Sequence, residues 1–137
     1  MVKTLEKLGV DHIFGITGAM IIPTFDALYD SSQIRYVHLR NEQAASYAAD
    51  GYARASGDPG VCIATSGPGA TNLVTGVVNA YMDSSPMIAI TGQVAKSTIG
   101  TDAFQEADMV GILMPHVKHN FLVMNSRELV DTVRKAF

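Results

Sequence analysis

The chain carries a single cysteine, Cys62, in 137 residues, which excludes an internal disulfide framework. Basic residues are not in excess. Ten Lys and Arg against thirteen Asp and Glu leave a formal charge of -3, so the charge favours neither nucleic acid nor an anionic membrane as a partner. No apolar run approaches the ~20 residues of a membrane span, and the opening Met1-Val2-Lys3-Thr4-Leu5-Glu6-Lys7-Leu8 is a charged amphipathic pattern rather than a signal peptide. Internal repeats, low-complexity tracts and interdomain linkers are absent. His12, His38, His116 and His119 are scattered, and the last two, though spaced like ligands, have no carboxylate or thiol nearby, so no metal constellation is visible. Ser66 lacks both a local histidine and a nucleophile-elbow pattern. These absences leave one soluble, cytoplasmic domain as the default.

What is present is an alternation of apolar strands and helices. Helical patterns cover residues 2–8, 23–29, 42–56, 70–82 and 105–113. Strand-like runs cover 10–16, 34–39, 61–65, 87–91 and 121–124, and residues 92–104 form a long loop. Asn125 with Glu128 three residues on resembles a capping box opening a last helix. Such alternation predicts a parallel α/β sheet flanked by helices. The runs 61–65 and 87–91 are apolar throughout, as central strands are. Ligands of such sheets sit beyond the carboxyl ends of the strands. Gly18, Glu42, Ser66 to Gly69 and the segment from Gly92 to Gln105 all follow strands and predict one lined edge. The last helix ends at Phe137 without a further strand, so the sheet is either complete at five strands or belongs to a longer polypeptide.

Two stretches stand out chemically. Ser66-Gly67-Pro68-Gly69 enters a helix, where Pro68 loses little by lacking an N–H. It lacks the Lys-Ser/Thr of a P-loop and the spacing of a dinucleotide fingerprint, and reads better as a tight turn against a flat ligand than as a phosphate cradle. The other is the helix opening at Glu42, with small residues at Ala44, Ala45, Ala48, Ala49 and Ala53 on faces that let another backbone come close. Glu42 is either an exposed carboxylate favoured by the helix dipole or a buried acid with a task. Arg40 and Asp50 read as solvated, and Cys62 as an inert core thiol.

Taken together, Val10 to Gly18, Asn41-Glu42-Gln43-Ala44-Ala45, Ala49 to Gly57, Thr65 to Asn72, Ser85 to Gln93 and Gly100 to Asp108 resemble the N-terminal, pyrimidine-binding domain of thiamine-diphosphate enzymes. The last block is most similar to the large subunit of acetolactate (acetohydroxyacid) synthases. The resemblance implies that residues 1–137 are one N-terminal domain of a three-domain chain, lacking its last strand. It implies that Glu42 shares a proton with the N1′ atom of the aminopyrimidine, and that a carboxyl pKa raised by burial among small apolar residues suits that task. Gly18, Ala19, Thr65, Pro68 and Asn72 would surround the pyrimidine. Gln105 would stand near the reacting centre and Phe104 beside a retained FAD. The activity implied is decarboxylative condensation of two 2-oxoacids, pyruvate among them, in branched-chain amino acid biosynthesis. The partners implied are a second copy in a dimer or tetramer and a regulatory subunit. Magnesium and the diphosphate would be held by a Gly-Asp-Gly…Asn motif in another domain, so no metal ligand is assigned here and the segment alone should be inactive. The sequence departs from the family at Ile16, Thr17, Ala19 and Asn41. Two other readings stay open: the pyrimidine-domain subunit of a split 2-oxoacid decarboxylase, and a non-catalytic dimerisation or binding module.

Overall fold

The computed structural model describes all residues 1–137. In chain order its elements are α1 (Val2–Lys7), β1 (His12–Gly15), α2 (Ile22–Tyr29), β2 (Arg35–His38), α3 (Glu42–Ser56), β3 (Gly60–Ala64), α4 (Pro68–Asn72), α5 (Val74–Met82), β4 (Met87–Thr91), α6 (Met109–Leu113) and α7 (Leu129–Ala136), with single 3-10 turns between some of them. The four strands form one parallel sheet in the order β2-β1-β3-β4. No helix is long and apolar enough to cross a membrane.

β3 lies at the centre and every one of its residues is buried. Its side chains alternate between two cores. Val61 and Ile63 join Leu5, Ile13, Leu28 and Ile34 on the face covered by α1, α2 and α7. Cys62 and Ala64 join Ala45, Ala49, Leu73 and Val77 on the face covered by α3 and α5. Burying one aliphatic side chain such as Ile63 contributes about 1.5–3 kcal/mol, so the first face carries most of the hydrophobic stabilisation. Burial also drives the Cys62 thiol pKa up to about 12, which keeps it a neutral core group.

α3 is the longest helix, and its ends are written in the sequence. Asn41 is extended, and its side-chain oxygen accepts from the Gln43 N–H at 2.7 Å, satisfying one of the helix's free donors. At the other end Gly57 has φ +82°, a left-handed conformation that costs glycine nothing. Between them the alanines favour helix intrinsically.

The connections explain where the site falls. The β1–α2–β2 unit steps one way across the sheet and the β3–α4–α5–β4 unit steps the other. Crossovers of one hand that travel in opposite directions put their helices on opposite faces. The strand order therefore reverses between β1 and β3, and the crevice at their carboxyl ends is the natural ligand position.

Four expectations from the sequence are corrected. Residues 121–124 form no strand; the sheet has four strands, and this segment joins none of its ladders. β4 is an edge strand with half-exposed residues, because nothing flanks it beyond β3. The helix foreseen over 105–113 begins only at Met109, because residues 100–106 are tied into a turn described below. The helix foreseen over 70–82 is two helices meeting at Leu73. Asn125 does act as a cap, accepting from the Arg127 N–H at 3.1 Å, but a 3-10 turn intervenes before α7.

Candidate functional site at the carboxyl ends of the strands

The loop after β1 and the loop after β3 are joined by direct contact. Thr65, buried, accepts from the Met20 N–H through Oγ1 at 3.2 Å. A Cβ placed on Gly18 would lie 2.5 Å from the Thr65 Cβ, so only glycine lets the two loops close. Gly18 itself is extended. Its requirement is the neighbouring Thr65, not an unusual backbone angle. Ala19 is exposed at the start of the following turn. The loop after β4 joins the same edge: the Gly92 N–H donates to the Ala64 carbonyl at 2.9 Å, and a Cβ on Gly92 would crowd the Met20 carbonyl at 2.9 Å.

Glu42 opens α3 beside this edge and is half-buried. Its Oε2 accepts from the Asn72 Nδ2 at 3.0 Å. Its Oε1 takes part in no hydrogen bond within the chain and faces Gly69, whose Cβ would sit 3.5 Å away. The same Cβ would lie 2.8 Å from the Thr65 methyl. Gly69, itself buried, is thus packed against the Thr65 methyl, with one free carboxyl oxygen of Glu42 beside it. Pro68 stands exposed at the first turn of α4. The expectation that the small residues enclose the Glu42 carboxyl is corrected. Ala45, Ala49 and Ala53 are turned inward and buried, where they let α3 approach β3, while the carboxyl reaches past them to Asn72 and Gly69.

The loop carrying Gln105 and Phe104 reaches the glycine turn. Gly67 has φ +53°, and a Cβ there would overlap the backbone of Gln105, so the two segments touch through main chain alone. Gln105 itself has φ +58°, a rare conformation for a side-chain-bearing residue. Glu106 supports the turn. Its carboxylate accepts from the N–H groups of Gly100 and Ala103, and those donors hold its pKa below the ordinary carboxylate range. Phe104 is 79% exposed, so nothing in this chain forms a pocket around it.

The structure therefore brings Gly18, Thr65, Gly69, Glu42, Asn72 and Gln105 to one edge and leaves Ala19, Pro68 and Phe104 at its surface. Sequence reasoning missed Glu106, whose only trace was an acid six residues after Gly100. It also misread Asp50, which is 5% exposed rather than solvated. Arg54 and Asn79 donate to the Asp50 carboxylate at 2.9 and 2.8 Å. Burial alone would raise the Asp50 pKa, and these hydrogen bonds with the Arg54 charge outweigh it and hold the pKa below its usual value.

The histidines do not converge. His12 sits among Phe14 and Tyr52, His38 beside Tyr36, and His119 against Phe121. No group of three or more His, Cys, Asp or Glu side chains has metal-binding geometry.

A doubly wound parallel sheet with a crevice at the carboxyl ends of its strands defines an α/β domain suited to ligand binding, and its likeness to known proteins narrows the class. Residues 1–112 match the thiamine pyrophosphate enzyme, N-terminal TPP binding domain, and the chain belongs to that family. Over all 137 residues it is 56% identical to an acetolactate synthase of Mycobacterium bovis. It is also 56% identical to a probable acetolactate synthase large subunit of Methanocaldococcus jannaschii, and 54% identical to the acetolactate synthase large subunit of Corynebacterium glutamicum. In each case the whole of this chain is aligned, and it spans 22–23% of the relative's length.

The residues present fit the pyrimidine end of thiamine diphosphate. A flat heterocycle needs a cradle without side chains and a carboxyl oxygen free to meet a ring nitrogen. Glu42 Oε1 offers the oxygen, and Gly69 beside it carries no side chain to block a ring.

Proposed function

We propose that this chain is the cofactor-activating domain of a thiamine-diphosphate-dependent acetolactate synthase, condensing two 2-oxoacids with loss of carbon dioxide. The observation that carries the reading is the Glu42 carboxyl, with one oxygen fixed by Asn72 and the other free beside Gly69. The high identity to acetolactate synthases across the whole segment supports the same reading. In it, residues 1–137 are one domain of a longer, three-domain cytoplasmic enzyme whose other domains hold magnesium and FAD. The enzyme acts on pyruvate as a homodimer or tetramer, with a regulatory subunit as a further partner.

When bound, thiamine diphosphate supplies a carbon nucleophile and an electron sink for decarboxylation. The chain's own part is to manage a proton. Glu42 Oε1 holds or passes a proton at the pyrimidine ring nitrogen, a general acid–base role. Asn72, by donating to Oε2, fixes the plane of the carboxyl so that Oε1 keeps one direction. Thr65 ties this edge to the β1 loop, and Gly18 lets it do so. Gln105 and Phe104, on the turn braced by Glu106, stand at the rim toward the substrate and flavin.

Product analysis tests the reading. The complete polypeptide carrying this segment, given pyruvate, thiamine diphosphate and magnesium, is expected to form acetolactate. Acetaldehyde as the sole product would move the segment to the split decarboxylases. No turnover and no cofactor binding would make it a non-catalytic module.

A further inference from the structure

α3 runs alongside α4 and α5 in the same direction, and the two are joined at successive turns. At the top the Glu42 carboxyl meets Asn72. One turn down, Gly76 lies so close to Ser46 that a Cβ on the glycine would overlap the Ser46 hydroxyl and come 2.9 Å from its carbonyl carbon. A further turn down, the buried Asp50 accepts from Asn79 at 2.8 Å. At the bottom Arg54, which also donates to Asp50, donates to Asp83 at 2.7 Å. On α3 the four partners recur every four residues, one helical turn apart.

We infer that this ladder sets the axial register of α3, and that Asp50 and Gly76 are positioning residues that place the Glu42 carboxyl. The inference rests on the cofactor-activating role proposed for Glu42. A helix is stiff along its axis, and Asp50 lies about 12 Å from Glu42 at 1.5 Å per residue, so a slide or tilt fixed at the lower turns is carried to the top. The Ser46–Gly76 contact has no slack. The Ser46 hydroxyl is itself held by donating to the Gln43 carbonyl at 2.8 Å, one residue from Glu42. A buried carboxylate with a bidentate arginine and an amide donor is also more than helix stability needs, since apolar packing of the same volume is often as stabilising. A directional clamp makes sense where register matters.

The test uses the complete polypeptide and three variants: Gly76→Ala, Gly76→Ala with Ser46→Gly, and Asp50→Asn. Crystal structures give the Glu42–Asn72 separation, calorimetry gives the Kd of thiamine diphosphate at saturating magnesium, and NMR gives the rate of cofactor C2-proton exchange. Gly76→Ala is expected to open the Glu42–Asn72 hydrogen bond and to slow exchange by roughly 10- to 100-fold, the scale of a 1 Å misplacement. Adding Ser46→Gly removes the opposing hydroxyl and Cβ but leaves the backbone carbon 2.9 Å away, and is expected to restore part of both. Asp50→Asn keeps the shape without the charge; with its urea midpoint measured alongside, it decides the question should Gly76→Ala fail to fold. An unchanged Glu42–Asn72 separation in the folded variants overturns the inference, as does a loss that Ser46→Gly does not lessen at all. Glu42→Gln is the control for the underlying reading. If it leaves exchange intact the role of Glu42 falls, and the ladder is then judged on the separation alone.

Discussion

The two faces of β3 differ in how much small-residue contact they use. On one, Val61 and Ile63 meet Leu5, Ile13, Leu28 and Ile34, large aliphatic side chains that fill space and tolerate modest rearrangement. On the other, Leu73, Val77 and Leu113 are joined by small residues where α3 crosses β3: Cys62 and Ala64 meet Ala45 and Ala49, and Gly60 is packed so tightly that a Cβ would collide with the Ala49 carbonyl. The first face gains stability from area; the second gives up area so that helix backbones come close. Close backbones hold a register that long side chains would blur. The carboxylate proposed to activate the cofactor sits on the helix covering the second face.

Perturbing each face in turn separates these roles. The largest loss of stability should come from Ile63→Ala, which empties a fully buried site; about 2–5 kcal/mol is expected from urea unfolding. Affinity for thiamine diphosphate in the folded complete polypeptide should be little changed. On the other face, Ala45→Leu forces bulk into a fully buried position and should cost about 1–3 kcal/mol. Here cofactor affinity should fall with it, because α3 must move off β3. Asn41→Ala removes the cap from the Glu42 helix and should cost about 1 kcal/mol in the same unfolding assay.

Acid reaches the ladder more gently. The Asp50 pKa is lowered in the folded chain, so its stabilisation is fully present above the ordinary aspartate value, near ~4, and is lost as pH falls through the lower folded value. Stability measured from pH 6 downward should therefore drop below about pH 4, and Asp50→Asn should flatten that limb. The smallest effect concerns Cys62, buried with its thiol pKa pushed up to about 12. A thiol reagent at neutral pH should leave it unmodified until the chain is unfolded.

Much of this arrangement was legible in the residues. β1, β2, β3, β4 and α3 fall where apolar runs and the Gly57 break place them, because each is a local pattern with a local stop. The strand-end edge followed from the alternation alone. The segment Phe121-Leu122-Val123-Met124 misled because strand propensity depends on tertiary context, and here the segment joins no ladder of the sheet. Asp50 misled because a charged helix residue is usually solvated, and its amide donor Asn79 stands 29 residues away, as Asp83 does from Arg54. The Glu42–Asn72 bond spans 30 residues in the same way. Pairings of that range are set by helix packing, which no single stretch of sequence displays.

The claim that Glu42 is the proton handle is tested most directly by C2-proton exchange of thiamine diphosphate bound to the complete polypeptide, with Glu42→Gln compared against the unaltered chain at saturating cofactor. The amide keeps the shape and a hydrogen bond to Asn72 but cannot hold and release a proton. Exchange should slow by about 10²–10⁴-fold with the urea midpoint unchanged. Exchange at the unaltered rate, in a variant shown to bind the cofactor, would contradict it.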